Sequence, residues 1–419
     1  MKLSSLIRKK PWLSIVAIIY VAGMITVSIP KSMDITEDSD YYAWWQAGKD
    51  FSEKHELYYR FEERPFNYPP FAAFVFQPLQ VLPLKISALL YFLLNALVLL
   101  PIAIYLLYQI LKILGYNEKN IEIVLILATL FTLKYFWNNL VMYQVNFVQF
   151  VGLLFGFYFL ARKKPHLAGI LLVIISFVKI IPVVLAAYVF VFHFSRRVVV
   201  SMVLTAAICL TLPMAFRGAD NWIGDHEEYY EWFITTYIKE GRIVVDQANH
   251  SLAAGTIKTF HPESRDNGHV YPGDYPVTTR IISIIHIMLL AIIIVNGILL
   301  FRRRTQLSLT YLASILIFTH LYSGITWTAH MVTLTFCLLP VLLIDVKTLG
   351  RPGRIFWWFF IALMVFLGIE GSDTVGEKIY LALRFHDVYT LLLLGLFLFC
   401  SWIVFNKNSS RIYLEGIQP

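Results

Sequence analysis

The chain is poor in charge, in cysteine and in the punctuation of soluble catalytic sites. Of its 419 residues only 15% are Asp, Glu, Lys or Arg, against about 25% in a typical soluble domain. Set beside a hydrophobic share of 58%, that shortage excludes a cytosolic enzyme, a secreted domain and a disordered chain. The three cysteines, Cys209, Cys337 and Cys400, all fall inside apolar runs, so no disulfide framework is implied. There is no zinc-type His/Cys spacing, no phosphate-cradling glycine loop and no Ser-His-Asp arrangement. Internal repeats are absent too, and with them the matching halves of an inverted-repeat transporter.

What the chain has is apolar length. A bilayer core needs roughly 20 apolar residues in a helix, and charge-free runs meeting or nearing that length occur at 11–30, 86–111, 135–161, 198–216, 281–301 and 388–406. The run 305–344 is too long for one span, and His320-Leu321-Tyr322-Ser323-Gly324 divides it. Shorter stretches near 121–134 and 354–369 complete about ten spans. The expected fold is an all-α polytopic membrane protein, with residues 1–419 forming a single domain. Its long outer loops cover about 31–83, 217–276 and 370–387 and carry short interfacial helices.

Orientation follows from the basic residues of the short loops. Arg8, Lys9 and Lys10 abut the first span, which reads as a retained signal anchor and places the N-terminus in the cytoplasm. The same side then holds Arg162-Lys163-Lys164, Arg196-Arg197, Arg302-Arg303-Arg304, Lys347, Arg351 and Arg354, while acidic residues dominate the outer loops. The net charge of +8 is therefore a topology signal and not a nucleic-acid footprint. This pattern requires 165–195, interrupted by Lys179 and Pro182, to enter and leave on the cytoplasmic side as two half-helices. Broken helices survive in membranes where they are buried in protein or line a cavity.

Candidate chemistry sits at the outer ends. Tyr41, Trp44, Trp45 and Phe51 predict a helix lying along the membrane interface. Asp34, Asp38 and Asp40 stand just before it, as helix caps or as a general base near a lipid-borne substrate. Asn67-Tyr68-Pro69-Pro70 makes a rigid entry to the next helix. Gln144 and Asn146, in YQVNFVQF, are helix–helix glue or substrate contacts. Lys179 is the costliest residue in the chain, about 2.5 kcal/mol or more at the bilayer centre, and a phosphate would offset that penalty. His330 follows Trp327 at an outer helix start. His286 and His320 read as structural. Asn249-His250-Ser251 matches a glycosylation sequon.

Together these elements resemble the GT-C glycosyltransferases that use polyprenyl-phosphate sugars. The closest likeness is to glycosyltransferase family 87, which includes mycobacterial phosphatidylinositol-mannoside mannosyltransferases and arabinofuranosyltransferases. The matching residues run in order: Asp40-Tyr41-Tyr42-Ala43 through Gly48, Leu57-Tyr58, Tyr68-Pro69-Pro70, Pro78-Leu79 and Leu82-Pro83. Beyond them come Gln144-x-Asn146, Lys179-x-x-Pro182, Asn249-x-Ser251-Leu252 and Ser323-x-x-x-Trp327-x-x-His330. Tyr143 stands where the family often has glycine, and His250 where it often has Gln.

The resemblance implies an inverting transfer on the extracytoplasmic face of the cell membrane. A hexosyl unit, mannosyl foremost, or a pentosyl unit would pass from a polyprenyl-phosphate donor to a cell-envelope glycolipid or glycan. Asp40 would be the base, with Asp38 as runner-up. Lys179, His330, Gln144, Asn146, Tyr68, Asn249 and Trp327 would contact the donor phosphate or substrate. The expected partners are that donor, that acceptor and membrane lipid, without nucleic acid. No cofactor is expected, and no motif demands a divalent metal. A secondary transporter or lipid flippase is the competing reading of Lys179 at a broken helix.

Overall fold

The computed structural model describes residues 12–58, 66–303 and 307–405. The orienting residues Arg8, Lys9, Lys10 and Arg304 lie outside the described residues. The apolar runs form helices because backbone in hydrocarbon must satisfy its hydrogen bonds internally. In chain order the first are α1 (Trp12–Met33), α2 (Asp40–Glu53), α3 (Pro70–Gln80), α4 (Leu84–Ile113), α5 (Glu118–Val141) and α6 (Asn146–Ala161). Next come α7 (Pro165–Val178), α8 (Val183–Phe192), α9 (Arg196–Arg217), α10 (Ala219–Tyr229), α11 (Leu252–Phe260) and α12 (Pro276–Arg302). The last are α13 (Leu309–Tyr322), α14 (Thr328–Leu343, opening as a 3₁₀ turn), α15 (Arg351–Ile369), α16 (Glu377–Phe385) and α17 (Val388–Phe405). Two-residue strands β1 (Ile243–Val244) and β2 (His269–Val270) pair antiparallel between α10 and α12.

Among the described residues six helices, α4, α5, α9, α12, α15 and α17, are long and apolar enough to cross a membrane. Shorter apolar helices, including α6, α13 and α14, complete the bundle. The protein is an all-α polytopic membrane protein.

One boundary differs from the sequence pattern. The charge of Lys134 suggests a break between 121–134 and 135–161, yet α5 runs through it to Val141. The ammonium is neutralised inside the bundle by Glu370 and also donates to the Tyr389 hydroxyl at 2.9 Å, so the helix has no reason to end there. It ends instead at Met142–Val145, where Tyr143 takes a left-handed φ of 53°. That conformation explains why glycine suits this position.

The hairpin is present. A Cβ built on Gly169 would lie 3.7 Å from Val189 Cγ1, whereas one continuous helix would separate those positions by about 30 Å. Thus α7 and α8 run antiparallel, with Lys179 at the turn. Near the foot of α8, Phe192 packs on Phe301 and Tyr311, next to the basic end of α12. Epitope tags inserted at 162–164 and at 196–197 are accordingly expected to report the same side of the membrane. Opposite reports would turn 165–195 into a full span and separate Lys179 from the residues around it.

Helix α2 turns its aromatic residues inward, against its neighbours. Tyr41, Trp44 and Phe51 are buried, and Trp44 packs on Phe76 of α3 and on Tyr91 of α4. The aromatic residues build a second hydrophobic core, apart from that of the main bundle. Arg217, at the end of α9, ties this unit to α10. It holds Asp225 of α10 through two hydrogen bonds of 2.7 and 2.5 Å and donates to the Asp50 carbonyl at 3.0 Å.

Candidate active site

The Asp40 carboxylate owes its position to its neighbour. Ser39, not an aspartate, caps α2, its hydroxyl accepting from the Tyr42 N–H at 3.2 Å. Asp40 falls in the first turn of the helix, where a helix N-terminus favours negative charge. Gly48, two turns on, lets α2 lie directly on α3. A Cβ at Gly48 would meet the Phe76 carbonyl oxygen at 2.5 Å, a backbone atom that cannot swing aside. Gly48→Ala should therefore cost about 1–3 kcal/mol of stability, read as a fall in the Tm of the purified protein. It should also lower activity by tilting the helix that carries Asp40.

The turn at Met142–Val145 brings Gln144 to Asp40, and its side-chain amide donates to the carboxylate. Asn146, at the start of α6, donates to the Gln144 side-chain oxygen at 3.4 Å. The Asn146 oxygen in turn accepts from the Lys179 ammonium. At the turn of the hairpin, Lys179 also stands 3.1 Å from His330 Nε2 and 6.0 Å from the centre of the Tyr68 ring. The Trp327 N–H donates to His330 Nδ1 at 3.3 Å, which fixes the imidazole. Asp40 lies within electrostatic reach of both Lys179 and Tyr68. Burial, and then that carboxylate, push the Tyr68 hydroxyl above its usual range.

One carboxylate, two amides, a cation, an imidazole and a tyrosine thus form a continuous polar track, although the chain supplies them from five separate segments. A carboxylate at one end can take a proton, and the Lys179–His330 pair at the other can meet an anion. Next to the pair, a cavity with room for about a single water is lined by Asn146, Gln149, His320, His330 and Thr333 among others. In the sequence Gln149 reads as an ordinary polar residue of an apolar helix.

The other candidates stand off this polar track. Asp34 and Asp38 are exposed on the turn before α2. Asn249 is fully buried, and backbone groups use all of its side chain. Its amide donates to the Val244 and Gly324 carbonyls at 2.8 and 2.9 Å. Its oxygen accepts from the Ser251 and Thr326 N–H groups at 3.1 and 2.8 Å. Asn249 thus braces two loops, and its side chain is buried within the sequon. His320 is paired with Thr333 at 2.6 Å, and His286 with the Leu321 carbonyl at 3.3 Å. Among the described residues no three His, Cys, Asp or Glu side chains converge as a metal site.

The model of glycosyltransferase family 87 matches residues 66–324, more than half of the chain. The chain belongs to glycosyltransferase family 87. It is therefore a membrane glycosyltransferase, with a sugar donor and an acceptor as its substrates, and this displaces the transporter reading. The match takes in Tyr68, Gln144, Asn146, Lys179 and Asn249. Asp40, Trp327 and His330 lie beyond its ends, and geometry alone joins them to the matched residues. No curated protein and no solved structure matches the chain.

Proposed function

We propose that this family 87 enzyme transfers a hexosyl unit, mannosyl foremost, or a pentosyl unit from a polyprenyl-phosphate donor to a cell-envelope glycolipid or glycan. The transfer inverts the anomeric carbon and takes place on the extracytoplasmic face of the cell membrane. The observation that carries this reading is the pairing of Lys179 with His330 at the turn of a membrane hairpin, on the same polar track as Asp40. A lipid-borne phosphate reaches such a depth because its prenyl chain stays in the bilayer, whereas a soluble nucleotide sugar has no comparable route.

In the reaction, Asp40 accepts the proton of the acceptor hydroxyl as its oxygen bonds to the anomeric carbon. The bond from that carbon to the phosphate oxygen breaks, and the electron pair leaves with polyprenyl phosphate. Lys179 and His330 stabilise the charge that develops there, by the electrostatic logic of an oxyanion hole. Phosphate leaves without prior protonation, so one carboxylate is enough. Glycosidases need a second one, to protonate a leaving alcohol. Gln144 orients Asp40, Asn146 orients Lys179, and Tyr68 and Trp327 wall the site.

Membranes bearing the protein should consume a polyprenyl-phosphate sugar with no nucleotide sugar present. Consumption only on addition of a nucleotide sugar would refute the donor class. Mass spectrometry of envelope glycolipids with and without the protein then identifies the acceptor.

A further inference from the structure

A second polar cluster lies behind His330, assembled from three outer segments. Asp387 occupies the turn between α16 and α17 with a left-handed φ of 45°. Its Oδ1 accepts from His250 Nδ1 at 2.9 Å, and its Oδ2 faces the Lys258 ammonium at 3.1 Å. Across the ring, His250 Nε2 stands 3.2 Å from the Thr328 hydroxyl. Lys258 also donates to the Asn249 carbonyl at 2.7 Å. The His250 ring rests on Tyr389 with centroids 4.4 Å apart. Helix α11 approaches closely because Gly255 has no side chain: a Cβ there would stand 2.8 Å from Asp387 Oδ2.

The protonation states follow from burial and pairing. Burial moves His250 below its ordinary value, so its ring is neutral, with Nδ1–H toward Asp387 and Nε2 accepting from Thr328. Burial alone would raise the Asp387 carboxyl, but His250 and Lys258 bring it below its usual range. An aspartate, a histidine and a hydroxyl in this order also make up nucleophilic triads. Here they are sealed: His250 is 0% exposed, Asp387 1% and Thr328 3%, so no substrate reaches the hydroxyl. A buried network of paired groups of this kind favours one conformation of what it holds.

What it holds is the segment that carries His330. The His250 N–H donates to the Thr326 carbonyl at 2.8 Å, and Asn249 pairs with Trp327 as a β-bridge. Thr328 is the first residue of the turn that presents His330 two positions later. We propose that Asp387, His250 and Thr328 form a clasp that positions His330 against Lys179, and so sets the geometry of the donor-phosphate end of the site. The clasp rests on the functional reading above for what the site does, and on its own contacts for how the site is held.

Three variants in the full-length protein test it with a polyprenyl-phosphate mannose as donor. Thr328→Val keeps shape and removes only the hydroxyl, His250→Leu removes both ring contacts, and His250→Gln restores a donor and an acceptor. Displacing a group by about 1 Å is enough to cost on the order of 100-fold in rate. The first two variants should therefore lose about 10- to 100-fold in kcat, with donor KM nearly unchanged, and His250→Gln should recover most of that loss. Carbethoxylation of His330, mapped by mass spectrometry, gives a readout free of activity. It should speed up severalfold in Thr328→Val and His250→Leu, and stay slow in His250→Gln. Unchanged kcat and unchanged His330 reactivity in Thr328→Val and His250→Leu would overturn the clasp, even if both lowered Tm. A wild-type protein that consumes no prenyl-phosphate sugar would refute the functional reading instead, and the His330 reactivity would still decide the clasp.

Discussion

Asp40→Asn should lower transfer by about 10²–10⁴-fold, the usual worth of general-base assistance, while leaving donor binding largely intact. The substitution keeps the size of the side chain and one acceptor oxygen for the Gln144 amide. Ser39 still caps α2, so the helix itself should be undisturbed. Only the ability to take a proton is lost. Measured in membranes, kcat should fall and donor KM should stay near that of the wild type. Asp34→Asn and Asp38→Asn are the controls. Both residues are exposed on the turn before α2, and neither shares the Gln144 contact, so both variants should be mild. Near-normal activity in Asp40→Asn with loss in Asp38→Asn would move the base by two residues. Full activity in both would remove the first outer loop from the chemistry.

The legibility of this protein in its sequence divides along a physical line. Spans and the hairpin are readable because the cost of charge in hydrocarbon is large and local. Lys179, three residues before Pro182, marks a break that the structure bears out as the hairpin turn. The same rule misleads at Lys134, where a charge looks like a boundary. Its partner Glu370 lies far along the chain, and no local pattern announces that pairing. Asp40, Gln144, Asn146, Lys179 and His330 are legible as types, each polar at a helix end or break, and the structure adds their convergence. Asn249 looked like its neighbours in the motif series yet serves the backbone. An amide that braces a loop and one that touches a sugar are identical in one dimension. The Asp387–His250–Thr328 clasp was illegible for the same reason, its three members spanning about a third of the chain.

Lys179→Met is the other substitution with a large expected effect. It should lower kcat/KM by about 10²–10³-fold, the usual loss when one preorganised donor to a developing anion is removed. Met preserves much of the length and apolar stem of lysine, so packing at the hairpin turn should survive. The charge and its hydrogen bonds to Asn146 and His330 do not. If Lys179 only tied the hairpin to α6, the variant would lose stability and expression, and the surviving folded fraction would turn over normally. If it meets the phosphate, expression and Tm should hold while turnover collapses, because an apolar side chain at this depth removes a penalty and does not add one. His330→Gln sharpens the distinction. Groups that act as a unit give grossly non-additive losses. Because His330 Nε2 stands 3.1 Å from Lys179 Nζ, the double variant should be little worse than Lys179→Met alone. Multiplying losses would mean that the two residues serve different steps. In that case His330 would belong to the acceptor, and Lys179 alone would hold the leaving phosphate.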